Sequence, residues 1–190
     1  MIQLETWSFG TSPHSPGTMW PPLPTKRTEE DKQKRIAMFD SFDPNGNGYL
    51  SLAECDKGVF DLGWQDCPKP VLMRAFQAAK GVAQRHGSTD TTGESFIERP
   101  EFRLFLLYLD RYSDLWGVFS SLDSEADRRI DEAEFLKGIS LMQSSWGVEI
   151  ADPGEEFKKI DTNSGGKVLF DEFAAWALPL ALSNETGEGE

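Results

Sequence analysis

The chain has 190 residues and a net charge of -13, from 32 acidic against 19 basic side chains. A phosphate backbone needs a basic face, so this balance argues against a nucleic-acid partner and favours cations or basic segments. The length permits one domain or two small lobes with an apolar core, so neither a metal nor a disulfide is required for folding.

Residues 1–27 read as an extended arm. Pro13, Pro16, Pro21, Pro22 and Pro24 break regular structure, and Trp7, Phe9 and Trp20 follow no helical or strand period. Large rings are scarce in disordered linkers, so three of them here read as short anchors that dock on a surface. No apolar run approaches the roughly 18 residues needed to span a bilayer, and the start, MIQLETWSFG, lacks a secretory layout. A cytoplasmic protein without a transmembrane segment is expected.

Thr28 is an N-cap residue ahead of Glu29, Glu30 and Asp31, acids suited to the positive end of a helix. Ile36, Phe39 and Phe42 continue at helical spacing, and Asp43-Pro44 stops the helix. The next twelve residues, DPNGNGYLSLAE, place oxygens at positions 1, 3, 5, 7, 9 and 12. Calcium, a hard cation, takes six to eight oxygen ligands, and a loop of this spacing supplies them. Asp43, Asn45 and Asn47 offer side-chain oxygens, Tyr49 its carbonyl, Ser51 an oxygen reached through water, and Glu54 both carboxylate oxygens. Gly48 sits at position 6, where the chain must turn with positive φ, and Leu50 at position 8 points inward to a neighbouring loop. The full pattern arises by chance in on the order of one chain of this length in a thousand. A second helix begins near Leu52.

Cys55 and Cys67 lie at neither CxxC nor cluster spacing and read as reduced thiols of an intracellular protein. With His14 and His86 the only histidines, a zinc site is not expected.

The spacing predicts a helix from Val71 to about Arg85 and another opened by Arg99-Pro100-Glu101-Phe102, running as far as Leu122. Between them, Asp90, Thr92 and Glu94 can be aligned as loop positions 1, 3 and 5, but Ser95 replaces the glycine. Aligning instead from Phe76 leaves about ten residues too many. This second unit is expected to bind nothing and to pack against the first.

The third loop, DSEADRRIDEAE, offers Asp123, Asp127, the Arg129 carbonyl and Glu134, with Glu125 long for position 3 and Arg128 at the glycine position. Left-handed geometry costs a non-glycine residue about 1 to 2 kcal/mol. Two readings stand: a loop that binds, and a loop that keeps the shape without the ion. The fourth loop, DTNSGGKVLFDE, keeps Asp161, Asn163, Gly166, the Lys167 carbonyl and Glu172, with Val168 facing inward. Gly165 removes one ligand and Leu169 cannot hold a water, so binding weaker than in the first loop is expected.

These loops and their flanking helices resemble the EF-hand superfamily. Over about residues 28 to 178 the chain is also similar to the trypanosomatid flagellar calcium-binding proteins called calflagins. The likeness lies in RAF from Arg74 with an over-long second unit after it, EFRL from Glu101, WGVEI from Trp146, IDTN from Ile160 and FDEFAAWA from Phe170. The resemblance implies an all-α protein of four EF-hand helix-loop-helix units paired into two lobes, 28–110 and 111–180, after the extended Pro/aromatic arm and before an acidic tail, 181–190. It also implies partly degenerate loops and a calcium-responsive role in a flagellum or cilium. Calflagins carry acylated Gly and Cys behind Met1; here Ile2 and Gln3 stand there, so no direct lipidation is expected and the arm attaches by contact.

A calcium-responsive adaptor on a protein partner, reached through the arm and an apolar lobe surface, is therefore expected. The alternative is a structural component of a ciliary, microtubule or other large assembly in which calcium is static or vestigial. Within the repeats the methionines are Met38, Met73 and Met142, too few for a promiscuous groove. No triad, phosphate-cradling loop or paired-carboxylate pocket points to an enzyme, and Trp64, Trp116, Trp146 and Trp176 read as core.

Overall fold

The computed structural model describes residues 21–80, 82, 95–146 and 149–183. Residues 1–20 of the arm, 184–190 of the acidic tail and the alternative ligands Asp90, Thr92 and Glu94 of the second helix-loop-helix lie outside the described residues, while residues 181–183, read as the start of the tail, end the last helix. The chain divides between Ser113 and Asp114 into two compact units.

In the first unit, α1 (Glu29–Phe42) starts where Thr28 Oγ1 accepts the Asp31 N–H at 3.2 Å. The first loop then leads through β1 (Tyr49–Leu50) into α2 (Leu52–Asp61). Ser51 and Glu54 cap α2 reciprocally, side chain to backbone in both directions, which satisfies two orphan donors of its first turn. The next helix, α3, spans Lys69–Ala79, not Val71 to Arg85. Pro68, extended at ψ 131, caps the start with Pro70 in the first turn, and Lys80 at ψ 144 leaves helical geometry at the other end. β2 (Ile97–Glu98) follows, then α4 (Arg99–Leu122), a 24-residue helix.

β1 and β2 are antiparallel, with Leu50 opposite Ile97 and Tyr49 opposite Glu98. Leu50 and Ile97 are wholly buried, so the inward apolar position of the first loop meets its counterpart. Around this strand pair lie Phe39, Phe42, Val59, Val71, Phe76, Phe102 and Phe105, all buried. Phe102 of α4 stands edge-on to Phe39 and Phe42 of α1, with ring centroids 5.3 and 5.4 Å away. This aromatic contact is a specific stabiliser beyond area burial.

Trp64, 1% exposed, closes the far end of α2 and donates its indole N–H to the Pro21 carbonyl at 3.3 Å. Arg35 binds the carbonyls of Pro24 and Lys26 at 2.8 and 2.7 Å, and Arg103 Nε that of Thr25 at 2.8 Å. Residues 21–26 are thus tied down by side chains of α1, α4 and the α2 exit.

The second unit contains β3 (Arg129–Asp131), α5 (Glu132–Trp146), α6 (Pro153–Ile160), β4 (Lys167–Leu169) and α7 (Phe170–Ser183). β3 and β4 are antiparallel, pairing Arg129 with Leu169, Ile130 with Val168 and Asp131 with Lys167. Ile130 and Val168 are fully buried, repeating the Leu50–Ile97 contact. Phe119, Phe135, Phe157 and Phe173 fill the surrounding core. Cys55 is buried and Cys67 half-buried, both as free thiols. Burial pushes the Cys67 thiol up to about 12, so it is not a nucleophile near neutrality.

Candidate metal centre

Three of the loops share one backbone design. Asp43 Oδ1 and Oδ2 accept the N–H groups of Asn47 and Gly48 at 3.1 and 2.8 Å. Asp123 receives those of Asp127 and Arg128 at 3.1 and 2.8 Å, and Asp161 those of Gly165 and Gly166 at 3.0 and 2.8 Å. A carboxylate at position 1 therefore winds the loop around itself by binding positions 5 and 6. The winding needs positive φ at position 6, where Gly48, Arg128 and Gly166 have φ of 80°, 63° and 75°. Position 4 is left-handed as well, at Gly46, Ala126 and Ser164, with φ of 69°, 56° and 55°. That second turn escaped the sequence reading, because the three residues share no chemistry.

Arg128 thus holds the strained geometry expected for position 6. Replacing it by glycine removes the left-handed penalty at the cost of a more flexible unfolded chain. Arg128→Gly should stabilise the ion-free protein by about 0.5 to 1 kcal/mol. A higher urea midpoint at unchanged m-value checks this.

The glutamate at position 12 folds back over each loop. Glu54 Oε1 accepts Asn45 Nδ2 at 2.7 Å, and Oε2 accepts the N–H and hydroxyl of Ser51, both at 2.8 Å. Positions 3, 9 and 12 of the first loop, the outer two of which would lie up to about 32 Å apart along a fully extended chain, are thereby drawn together. Glu172 does the same with Asn163 Nδ2 at 2.8 Å and the Leu169 N–H at 3.0 Å. Glu134 takes the Ser124 N–H and hydroxyl at 2.9 and 2.8 Å and the Asp131 N–H at 3.0 Å. Burial works against the ionised form of Glu134 and of Glu172. The hydrogen bonds they accept nevertheless hold both carboxyls below the ordinary range, so each is a ready anion.

The first loop fits calcium by its donor chemistry: two carboxylates, two amides, a hydroxyl and a main-chain carbonyl, all oxygen, on a loop already curled by Asp43. Asn45 donates its amide nitrogen to Glu54 here, and the same amide also carries an acceptor oxygen. In the fourth loop, Gly165 has a packing reason. A Cβ built there would lie 2.5 Å from Asn163 Oδ1, so a side chain at position 5 requires Asn163 to move.

The third loop differs. Among the described residues no three acidic, His or Cys side chains gather into a metal-holding cluster. Its twelve positions carry six acids, Asp123, Glu125, Asp127, Asp131, Glu132 and Glu134, whereas the first loop carries two. Asp127 is instead bound by Lys167, whose ammonium lies 2.6 Å from Asp127 Oδ2. That contact holds the Asp127 carboxyl below its usual range.

A model of the FCaBP EF-hand domain matches residues 20–109. The flagellar calcium-binding protein of Trypanosoma cruzi is 34% identical over 164 residues, which cover 84% of this chain and 76% of that protein. Flagellar calcium-binding protein TB-24 of Trypanosoma brucei brucei is 32% identical over 165 residues, covering 84% of this chain and 74% of that one. TB-44A of the same organism is 33% identical over 175 residues, 88% of this chain but 42% of the relative.

Proposed function

Because the chain belongs to the EF-hand family of flagellar calcium-binding proteins and binds calcium, we propose that it is a calcium-responsive adaptor on a protein partner and that residues 43–54 are its principal calcium loop. Asp43, Asn45, Asn47, Ser51 and Glu54 hold the ion with the Tyr49 carbonyl. Asp161, Asn163, Glu172 and the Lys167 carbonyl form a second, weaker site. Four helix-loop-helix units, paired within 28–110 and 111–180, carry these loops, the second as a packing partner for the first.

The observation that carries the reading is the position of Glu54. It is a loop ligand in this assignment and also the capping residue in the first turn of α2. When bound, calcium supplies the charge that favours oxygens converging from all round the loop. Any pull on the Glu54 carboxylate is passed to α2 as a rigid piece, because Ser51 and Glu54 are locked to each other. The exit of α2 leads to Trp64, which holds the Pro21 carbonyl. Loop and arm root are thus the two ends of one lever, and Phe60 on α2, 52% exposed, with Met73 on α3, 51% exposed, offers the apolar surface for a partner.

The names of the relatives place those proteins in the flagellum, and a flagellar or ciliary setting is the one we propose here. Among the described residues no helix is long and apolar enough to cross a membrane. A second reading, a fixed structural part, is favoured by the three side-chain ties on residues 21–26. Calorimetric titration of the full chain and of a chain lacking residues 1–27, with calcium-dependent cross-linking to flagellar extract, separates the two. The adaptor binds one or two ions and gains or loses its cross-linked partner with calcium; the fixed part keeps its partner with or without calcium and loses it with the arm.

A further inference from the structure

The third loop keeps the closed shape of its neighbours although two non-glycine residues, Ala126 and Arg128, are left-handed in it and six carboxylates crowd its twelve positions. Something must offset that charge. The side chain that does so belongs to the opposite loop. Antiparallel pairing sets Lys167 of β4 against Asp131 of β3. From there its ammonium reaches 2.6 Å from Asp127 and 3.8 Å from Glu125. These are positions 5 and 3 of the third loop, the positions from which calcium would draw two side-chain ligands. Position 7 of the first loop, by contrast, is Tyr49, whose ring lies 6.1 Å from that of Phe96 and brings no charge to its neighbour.

We propose that Lys167 is the residue that keeps the third loop free of calcium: its ammonium serves as a built-in cation for Asp127 and Glu125, so the loop stays closed without metal. The inference rests on the calcium-loop assignment for residues 43–54 and 161–172 and adds to it a selectivity between the two loops of the second pair. A divalent ion entering the third loop has to displace the ammonium from two of its ligands and then tolerate a positive charge a few ångströms away. Lys167 also lends its carbonyl to the fourth loop under that assignment, so one residue would serve one loop through its backbone and close the other through its side chain. Arg128 adds a further positive charge at position 6 but has no such placement on the ligand carboxylates.

The test replaces the ammonium and keeps the stem. Lys167→Met and Lys167→Gln are compared with Lys167→Arg and the unaltered chain by calorimetric calcium titration, and by following backbone amide protons at Gly48, Gly166 and Arg128. The Arg128 N–H donates to Asp123, so it reports an ion in the third loop. In the unaltered chain and in Lys167→Arg, the Arg128 amide should stay still up to millimolar calcium. In Lys167→Met or Lys167→Gln it should shift with an added binding event, at least about tenfold tighter than any in the unaltered chain. Adding Asp123→Asn should abolish that event. An Arg128 amide that already titrates in the unaltered chain overturns the inference. So does one that stays still in both Lys167 variants while Gly48 and Gly166 respond as before. A silent Gly48 would instead count against the calcium-loop assignment itself.

Discussion

Glu54→Gln should weaken calcium binding at the first loop roughly 100-fold while leaving the helices in place. Losing ligand charge is worth at least as much as losing an outer-shell partner, for which 10- to 100-fold is typical. The affinity falls because one of two carboxylate contacts to the ion disappears and the remaining oxygen carries no formal charge. The fold survives because the amide still offers one oxygen to the contacts that Glu54 now makes with Asn45 Nδ2 and with Ser51. One amide oxygen replaces two carboxylate oxygens, so the contact with Asn45 or the contact with Ser51 is lost while Ser51 Oγ still caps the N–H of residue 54, which costs the ion-free protein about 0.5 to 1.5 kcal/mol. Calorimetry measures the affinity, and circular dichroism with a urea melt measures the rest. An unchanged affinity would show that Glu54 is not a ligand.

The second large effect concerns the packing that carries the first loop. Phe102, 1% exposed, fills the space between α4 and the last turn of α1, edge-on to Phe39 and Phe42 and stacked at 6.0 Å on Phe105. Phe102→Ala removes the shared ring of this cluster, and the surrounding helices cannot collapse fully into the gap. A loss of about 3 to 5 kcal/mol is expected. Calcium affinity should fall with it, since Asp43, the first loop residue, follows directly on Phe42. Urea unfolding followed by near-ultraviolet dichroism reads the stability. A change below 1 kcal/mol would mean that the ring of Phe102 does not support α1 and the loop that follows it.

How much of this was legible in the sequence depends on how local each feature is. The curl of the first loop was legible, because it is built from twelve consecutive residues with an acid at position 1 and its turn requires glycine at Gly48. The apolar positions Leu50 and Val168 were legible for the same reason, and they meet Ile97 and Ile130. Helix boundaries were less so: α3 stops at Ala79, where Lys80 turns extended, although the apolar pattern ran on toward Arg85. The ties on residues 21–26 could not be foreseen, since Trp64 and Arg103 reach their carbonyl partners across 43 and 78 residues. Lys167 and Asp127, 40 residues apart, are brought together only by the β3–β4 register. Reading Lys167 as a mere carbonyl donor followed from its loop position and missed what its side chain does.

The Gly48 amide proton is the most direct reporter of the loop from Asp43 to Glu54, because that N–H donates to Asp43 at 2.8 Å inside the curl. In a proton–nitrogen correlation spectrum, calcium added from zero to millimolar should move the Gly48 resonance and bring it to a plateau, and Glu54→Gln should require far more calcium for the same displacement. A Gly48 resonance that holds its position in millimolar calcium would contradict the account.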